Sequence, residues 1–471
     1  MVNNLKWTSI ASQEIEHANF RLEASVYNVE AKKAKEDLRN CKYPLKPLTG
    51  VDGLATAYHR LRFRRVFLEH SLMPIFQPSQ ISDINPKPEL FISHLTKTNI
   101  DELRVHKDQI LLTCSGTIGK CSLVSLTLDK QIFSHDLLRI NAIDSKDIGL
   151  IYTYLKSKTG QTILITNNYG AVIQHIEPDH LNDYLIPYPD ESIRSSLNNK
   201  IMASYDCRDR ANKLMQQAEL MLRNELKLPN LHEIAPTYLR KNLDIKAFAV
   251  PADALDDRFD ASFHLPLINS IIDILLDNAK SITTLNDHKI CSAVLHPERF
   301  KRVYVHEEHG VPFFGGKGLL SIDPPGKKYI SKTKHSSRIP GLVLKENMIL
   351  ITRSGTIGKV NIVPRHWDGW IATDDLIRII PSNDEIAGYL YVWLNSDFGK
   401  TIIEKYTYGS VVDHIEVSHV QNFIVPILKD KSVMSKINRF ALEANKLRAE
   451  AYQLEHAAIN QLNQEVIFAR D

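Results

Sequence analysis

Two kinds of hydrophobic pattern alternate along this 471-residue chain. The first is a period-two mixture of short β-branched runs broken by Gly and Pro. In it, ILLT (110–113), SGTIGK (115–120) and CSLV (121–124) read as strand, Gly-containing turn and strand. ILIT (349–352), SGTIGK (354–359) and VNIV (360–363) repeat that order. Such runs predict irregular mixed α+β domains, with helix confined to short stretches such as 147–158 and 386–396. The second pattern is helical. No proline occurs from about 192 to 228, and apolar or small residues recur at Cys207, Ala211, Leu214, Ala218 and Met221, in steps of four and three. Pro229 is predicted to stop that helix, since it lacks a backbone N–H. The C-terminal segment repeats the spacing at Ile437, Phe440, Ala444, Leu447, Ala451, Leu454 and Ala458. Both helices carry ANKL, at 211–214 and 444–447. Ala at alternate seam positions permits close approach, so the two helices are expected to pack on each other.

The patterns recur because the chain is duplicated. Residues 109–124 (QILLTCSGTIGKCSLV) and 348–363 (MILITRSGTIGKVNIV) agree at ten of sixteen positions. The same offset aligns YGAVIQHIEPDHLNDYLIP (169–187) with YGSVVDHIEVSHVQNFIVP (408–426), eight of nineteen identical. Upstream, FRLEAS (20–25) matches DRFDAS (257–262), and RFRRVF (62–67) matches RFKRVY (299–304) after a slip of two residues. The repeat is far longer than a solenoid unit. The fold class expected is α+β: two tandem homologous mixed α/β domains, separated and followed by long helices.

Composition narrows the function classes. The 58 basic and 55 acidic side chains leave a formal charge of +3, so an anionic partner must be met by local patches. The N-terminal segment has no apolar run of the signal-peptide kind, and no stretch approaches the roughly 20 apolar residues of a membrane span. The expected location is cytoplasmic, with no membrane partner. The five cysteines, Cys41, Cys114, Cys121, Cys207 and Cys291, contain no Cys-x-x-Cys pair and read as reduced thiols.

Candidate chemistry concentrates in the duplicated motifs. SGTIGK lacks the G-x-x-x-x-G-K-[ST] spacing of a phosphate loop, since Cys121 or Val360 follows the Lys. It reads either as a plain hairpin turn or as a turn that also offers backbone N–H groups to a DNA phosphate. In the latter case Ser115, Thr117 and Lys120, and Ser354, Thr356 and Lys359, are the candidate contacts. The repeated RF[RK]RV[FY] places Arg62, Arg64 and Arg65 in one copy and Arg299, Lys301 and Arg302 in the other, with Phe63 or Phe300 packing elsewhere. Alternation on a strand would align these cations for phosphates or a guanine edge. A solvated face, or anchoring to a neighbouring carboxylate, is the competing reading. Only the second copy continues with Lys327, Lys328, Lys332, Lys334 and Arg338. HIEPDH (175–180) and HIEVSH (414–419) space their histidines five apart, unlike the His-Glu-x-x-His of a zinc helix, and read as structural or surface histidines, not metal ligands. DPPG (323–326) has Gly326 where a base-flipping methyltransferase motif needs an aromatic ring, so it reads as a turn.

In this order the motifs resemble the specificity subunit of Type I restriction–modification systems. The resemblance rests on the opening RLEAS (Arg21 to Ser25) and RFDAS (Arg258 to Ser262), the SGTIGK strand, and a closing YG[AS]V…HIE…[LI][IV]P that runs into a long helix. Where family members often carry Pro-Pro-x-x-Glu-Gln before that helix, this chain has PYPDESIRSS and PILKDKSVMS. The resemblance implies a target recognition domain over 1–190, a helical spacer over 191–232, a second recognition domain over 233–430 and a C-terminal spacer over 431–471. The spacers would pack as an antiparallel coiled coil through Ala211, Leu214, Ala218, Met221, Ile437, Phe440, Ala444, Leu447, Ala451 and Leu454. It also implies a non-catalytic, sequence-specific reader of double-stranded DNA with a bipartite target, acting in phage defence. Its partners would be two DNA methyltransferase subunits and restriction/translocase subunits, which bring S-adenosylmethionine, ATP and magnesium. Basic strands would hold phosphates while loops around 76–100 and 314–345 reach base edges. The same two-headed reader serving another modification system, a coiled-coil scaffold that never reads DNA, and an unrecognised enzyme are the alternatives.

Overall fold

The computed structural model describes residues 9–17, 20, 29–60, 62–68, 71, 73–166, 175–234, 248–255, 258–409 and 412–470. It divides into two compact units, Met1–Asp209 with Glu450–Asp471, and Arg210–Ala449. The RLEAS and YGAV segments of the first copy lie outside the described residues.

Unit 1 is built on an antiparallel sheet of β1 (Ala55–Tyr58), β2 (Ile110–Thr113), β3 (Cys121–Leu123) and β4 (Leu137–Ala142), in the order β1-β4-β2-β3. The expected hairpin pairs Ile110 with Leu123 and Leu112 with Cys121. All four residues of β2 are buried, because both faces are covered. Ile110, Leu112, Leu138 and Ile140 face a core shared with α1 (Ile148–Lys156) and α2 (Lys158–Thr166). Leu111 and Leu137 face a second core with Phe76, Val105 and Phe133, beside a smaller sheet of Phe67–Leu68, Pro74–Phe76, Leu90–Ile92 and Ile132–Phe133. Arg139 lies on that second face, fully buried, and donates through Nη2 to Leu103 O at 3.1 Å. Burial pulls its guanidinium down to about 10.

The chain then enters α3 (Glu191–Glu225). Gly149, the second residue of α1, is seated on it: a Cβ there would stand 2.3 Å from Asn198 Cα, and the Gly149 N–H donates to Asn198 Oδ1 at 3.0 Å.

Unit 2 repeats the plan. Its sheet of β5 (Cys291–Leu295), β6 (Ile349–Thr352), β7 (Val360–Ile362) and β8 (Leu376–Pro381) has the order β5-β8-β6-β7. Its smaller sheet joins Gly310–Phe314 to Lys328–Ser331 and Ile371–Ala372. Helices α4 (Asp384–Asn395) and α5 (Asp397–Lys405) follow β8, and α6 (Lys431–Leu462) closes the repeat. Asn438 does for Gly388 what Asn198 does for Gly149. Its Oδ1 accepts from Gly388 N at 2.8 Å and Tyr389 N at 3.1 Å, while its Nδ2 donates to Asp384 O at 2.9 Å. The equivalence of Asn198 with Asn438 puts the two ANKL sequences one heptad out of structural register.

Along both long helices the buried positions alternate by four and three. In α3 the buried set includes Leu197, Ile201, Ser204, Ala211, Met215, Ala218 and Leu222, while Leu214 and Met221 are only half-buried. In α6 it includes Ile437, Ala441, Ala444, Arg448, Ala451, Glu455, Ala458 and Leu462, while Phe440 and Leu454 are half-buried and Leu447 is buried beside the stripe. The Ala positions fall where the spacing predicts, but Leu214, Met221, Phe440 and Leu454 sit one residue to the side of the buried stripe, which takes Met215, Leu222, Ala441 and Glu455. Within unit 1 the helices run antiparallel: Ser204 Oγ donates to Ala451 O at 2.7 Å, and Lys200 Nζ to Gln461 Oε1 at 2.7 Å.

The polar stripe residues have unequal surroundings. Glu455 is ion-paired with Arg208 and, at 3.2 Å, with Lys156, and it accepts from Tyr152 OH at 3.0 Å. Tyr205 OH donates to Tyr152 OH at 2.9 Å and accepts from Leu123 N at 2.8 Å, which ties the sheet to the helix. In unit 2, Arg448 matches Arg208 and meets Tyr391, the counterpart of Tyr152, at 3.3 Å. Met215 stands at the position matching Glu455, and Arg448 Nε and Nη2 have no hydrogen-bond partner. Removing one partner of a buried ion pair strands the other, so Glu455→Ala should destabilise unit 1 by about 3–5 kcal/mol in urea unfolding. Arg448→Met removes a charge that lacks a carboxylate, and should change stability by less than about 1 kcal/mol or raise it.

Candidate nucleic-acid interface

The SGTIGK turns are held from inside by the last residue of the preceding strand. Thr113 Oγ1 donates to Thr117 O at 2.6 Å and accepts from Lys120 N at 2.9 Å. Thr352 repeats both bonds, to Thr356 O at 2.7 Å and from Lys359 N at 3.0 Å. Gly116 and Gly119, and Gly355 and Gly358, take positive φ, which a chain reversal this tight requires. Gly119 N donates to Thr113 O, and Gly355 N to Asp413 O. These amides are therefore engaged within the fold and are not turned outward. Thr117 and Thr356 are exposed, and Ser115, Lys120, Ser354 and Lys359 are half-buried.

The HIE segments pair with the start of these turns. Ser115 bridges His175 and Ser354 bridges His414. Ile176 N donates to Cys114 O, and Ile415 N to Arg353 O, both at 3.0 Å. The Glu and the second His of each motif then cap a short helix: His180 Nδ1 accepts from Glu177 N at 3.0 Å, and His419 Nδ1 from Glu416 N at 3.2 Å. The five-residue spacing thus reflects a reciprocal cap at a helix start. Glu416 also accepts from Tyr408 OH at 2.6 Å and Arg353 at 2.7 Å. The Tyr408 hydroxyl first, then Arg353 outweighing burial, hold its carboxyl below the usual range.

The basic motif is extended, but mostly outside the regular strands. Arg62 to Val66 precede the strand Phe67–Leu68, and in unit 2 the segment meets the sheet through a bridge from Tyr304 to Ile330. The alternation persists: Phe63 and Phe300 pack on the small-sheet cores, while Arg62, Arg64, Arg299 and Lys301 are exposed and Arg65 and Arg302 half-buried. Arg299 and Arg302 converge on Asp374, the carboxylate anchoring that the sequence left open. The adjacent Asp375 accepts from Ser354 Oγ at 3.1 Å, so one dipeptide joins the SGTIGK turn to the arginine pair. Of the later basic run, Lys327 is ion-paired with Asp323 and lies over Trp370, whereas Lys328, Lys332 and Lys334 are exposed. Arg338 is exposed at 3.9 Å from Glu298.

Sequence reasoning missed three polar anchors. Arg139 and Arg378 are buried in corresponding strands, and Asp209 of α3 accepts from Ser125, Leu126 and Thr127 at 2.6–3.0 Å. LLRI and LIRI recur in both copies, which was the available signal for the arginines.

No family model matches the chain, and no curated protein matches it. Among solved structures it is similar to the S subunit of a Type-I restriction-modification system from M. genitalium, with 14% identity and a TM-score of 0.35, over 90% of this chain and 96% of that one. A chain solved for complex assembly and conformational transition of the type I R-M system gives 14%, 0.27, 88% and 97%. The HsdS subunit from Thermoanaerobacter tengcongensis gives 14%, 0.27, 87% and 96%.

The turn geometry makes a direct prediction. Thr352→Val removes the hydroxyl that accepts from the half-buried Lys359 amide and donates to Thr356 O, and should lower stability by about 1–3 kcal/mol, whereas Thr352→Ser, which keeps the hydroxyl, should stay within about 1 kcal/mol. Thermal unfolding of the two variants separates a hydrogen-bonded turn from one held only by its glycines.

Proposed function

We propose that the chain is a sequence-specific reader of double-stranded DNA with a bipartite target, one half-site for each copy, acting as the specificity subunit of a methyltransferase/restriction complex. Its target recognition domains would be 1–190 and 233–430, with helical spacers at 191–232 and 431–471. The observation that carries the reading is a set of exposed cations borne by the same extended segment, or beside it, in both copies. Arg62, Arg64, Lys301, Lys332 and Lys334 have no acidic partner among the described residues. Cations placed this way neutralise phosphates, which fix register without reading sequence. The unlike loops around 76–100 and 314–345 would then read base edges, and the duplicated scaffold explains why one chain would serve two half-sites. The reading makes the chain a non-catalytic partner. Two methyltransferase subunits and restriction/translocase subunits would supply the chemistry, with S-adenosylmethionine, ATP and magnesium, in the cytoplasm. With a formal charge of only +3, the isolated chain should bind DNA weakly and draw much of its grip from those partners.

The test is base-modification sequencing of genomic DNA from cells that express the chain with its neighbouring methyltransferase. The comparison is cells in which residues 250–430 are replaced by another recognition domain. A split methylated motif whose second half alone changes is expected. Methylation indifferent to the replacement would favour the scaffold reading. Arg64→Ala should weaken binding to all duplexes alike and reduce the salt slope by about one. An unchanged slope in fluorescence anisotropy would remove Arg64 from the phosphate contacts.

A further inference from the structure

The two copies differ at one position that decides whether a pair of arginines is committed. In unit 2, Arg299 Nε donates to Asp374 Oδ2 at 3.0 Å, and Arg302 Nη2 donates to the other oxygen of the same carboxylate. Arg302 also reaches Thr373 Oγ1 at 3.4 Å. The Asp374 carboxyl is largely buried, and burial would raise its pKa. Its own backbone amide and the two guanidiniums outweigh that and hold it below the usual range.

In unit 1 the matching arginines are Arg62 and Arg65, and SHDLLRI (134–140) aligns with TDDLIRI (373–379). His135 therefore stands where Asp374 stands in unit 2. Its ring packs edge-on against Phe63 at 5.7 Å, in the middle of the arginine motif. Neither Arg62 nor Arg65 has a carboxylate partner among the described residues; Arg65 lies over the Phe67 ring at 5.6 Å. At the base of this cluster, Ser134 Oγ and His135 Nδ1 are buried without hydrogen-bond partners. Burial, opposed by Asp136, lowers the His135 pKa, and the nearby charges of Arg65, Arg62 and His59 lower it further. Asp136 meets the His135 ring and Glu177 meets His59, both at 3.3 Å, so these carboxylates sit on the histidines and not on the two arginines.

A carboxylate and a phosphodiester present similar paired oxygens to a guanidinium fork. Among the described residues of unit 1 no carboxylate pairs with the arginines as Asp374 does in unit 2, although the arginines and a buried hydroxyl remain. We infer that Arg62 and Arg65, with Ser134 and His135 beneath them, form a binding site for a DNA phosphodiester in unit 1, and that Asp374 blocks the equivalent site in unit 2. The inference rests on the DNA-reading assignment above. It adds that the two copies grip the backbone unequally.

The experiment is fluorescence anisotropy of a labelled duplex with the full-length chain, across roughly 50–200 mM salt. His135→Asp installs the carboxylate of unit 2 and should weaken binding by about tenfold at low salt, with a shallower salt slope. His135→Asn removes the ring but adds no negative charge, and should bind more tightly than His135→Asp, so the difference between the two isolates the added carboxylate. Asp374→Asn frees Arg299 and Arg302 and should strengthen binding and steepen the slope, a direction that misfolding cannot imitate. If His135→Asp melts like wild type yet binds with unchanged affinity and slope, the inference fails while the DNA reading stands. An unchanged slope in Asp374→Asn overturns the blocking role. If the wild-type chain and all variants bind no duplex even at low salt, the DNA reading fails and the inference with it.

Discussion

Each copy depends on a glycine pressed against an asparagine of a long helix. At Gly149 and Gly388 any side chain would overlap Asn198 or Asn438, and each asparagine accepts the glycine's own N–H. The contact brings helix backbone against helix without a layer of side chains between them. The first turn of a helix has amides with no partner of their own, so at Gly149 the asparagine satisfies a group that would otherwise be stranded on burial. The sheets, their hairpins and the distal small sheets are then carried on helices whose placement each module shares. The fold of each copy is in this sense referred to its long helix.

The same constraint explains what was legible in the chain. The hairpins, the helices after β4 and β8, and the long helices were readable because each depends on local periodicity. Ala211, Ala218, Ala444 and Ala451 were readable as close-approach positions for the same reason. The side of the stripe was not. Apolar spacing favours Leu214, Met221, Phe440 and Leu454, but Met215, Leu222, Ala441 and Glu455 are the buried residues, and the stripe also takes Arg448. A buried charge breaks a hydrophobic pattern, and only its distant partners, such as Tyr152 and Tyr391, make the burial tolerable. ANKL could not supply the register for a related reason: a heptad helix offers equivalent-looking faces every seven residues, and the Gly–Asn contacts choose between them.

The candidate site divides along the same line. The threonine-held turns and the Glu–His caps follow from hydrogen bonds between residues three to seven apart, and a turn reading was available from the glycines alone; the pairing of HIE with the turn joins Ser115 to His175 and Ser354 to His414, which no local pattern shows. The pairing of Arg299 and Arg302 with Asp374 spans more than seventy residues and depends on how two sheets are stacked. A repeat alignment sets Asp374 against His135, but says nothing about which arginines either one faces.

A protein with nearly balanced charge cannot attract DNA through its overall field; it can only decide which cations are left without an internal counterion. Ion pairs therefore matter here less for stability, since exposed ones contribute little, than for bookkeeping of free positive charge. Asp323 takes Lys327, and Asp374 takes two arginines, yet Lys328, Lys332 and Lys334 stay exposed in the same module. The first module lacks that lysine run and also lacks the carboxylate. On this view the two modules place their uncommitted cations differently, one on an added run of lysines and the other on arginines left without an aspartate. A duplicated scaffold can then present two unlike surfaces without altering the hydrogen-bonded turns, caps and seats that both copies share.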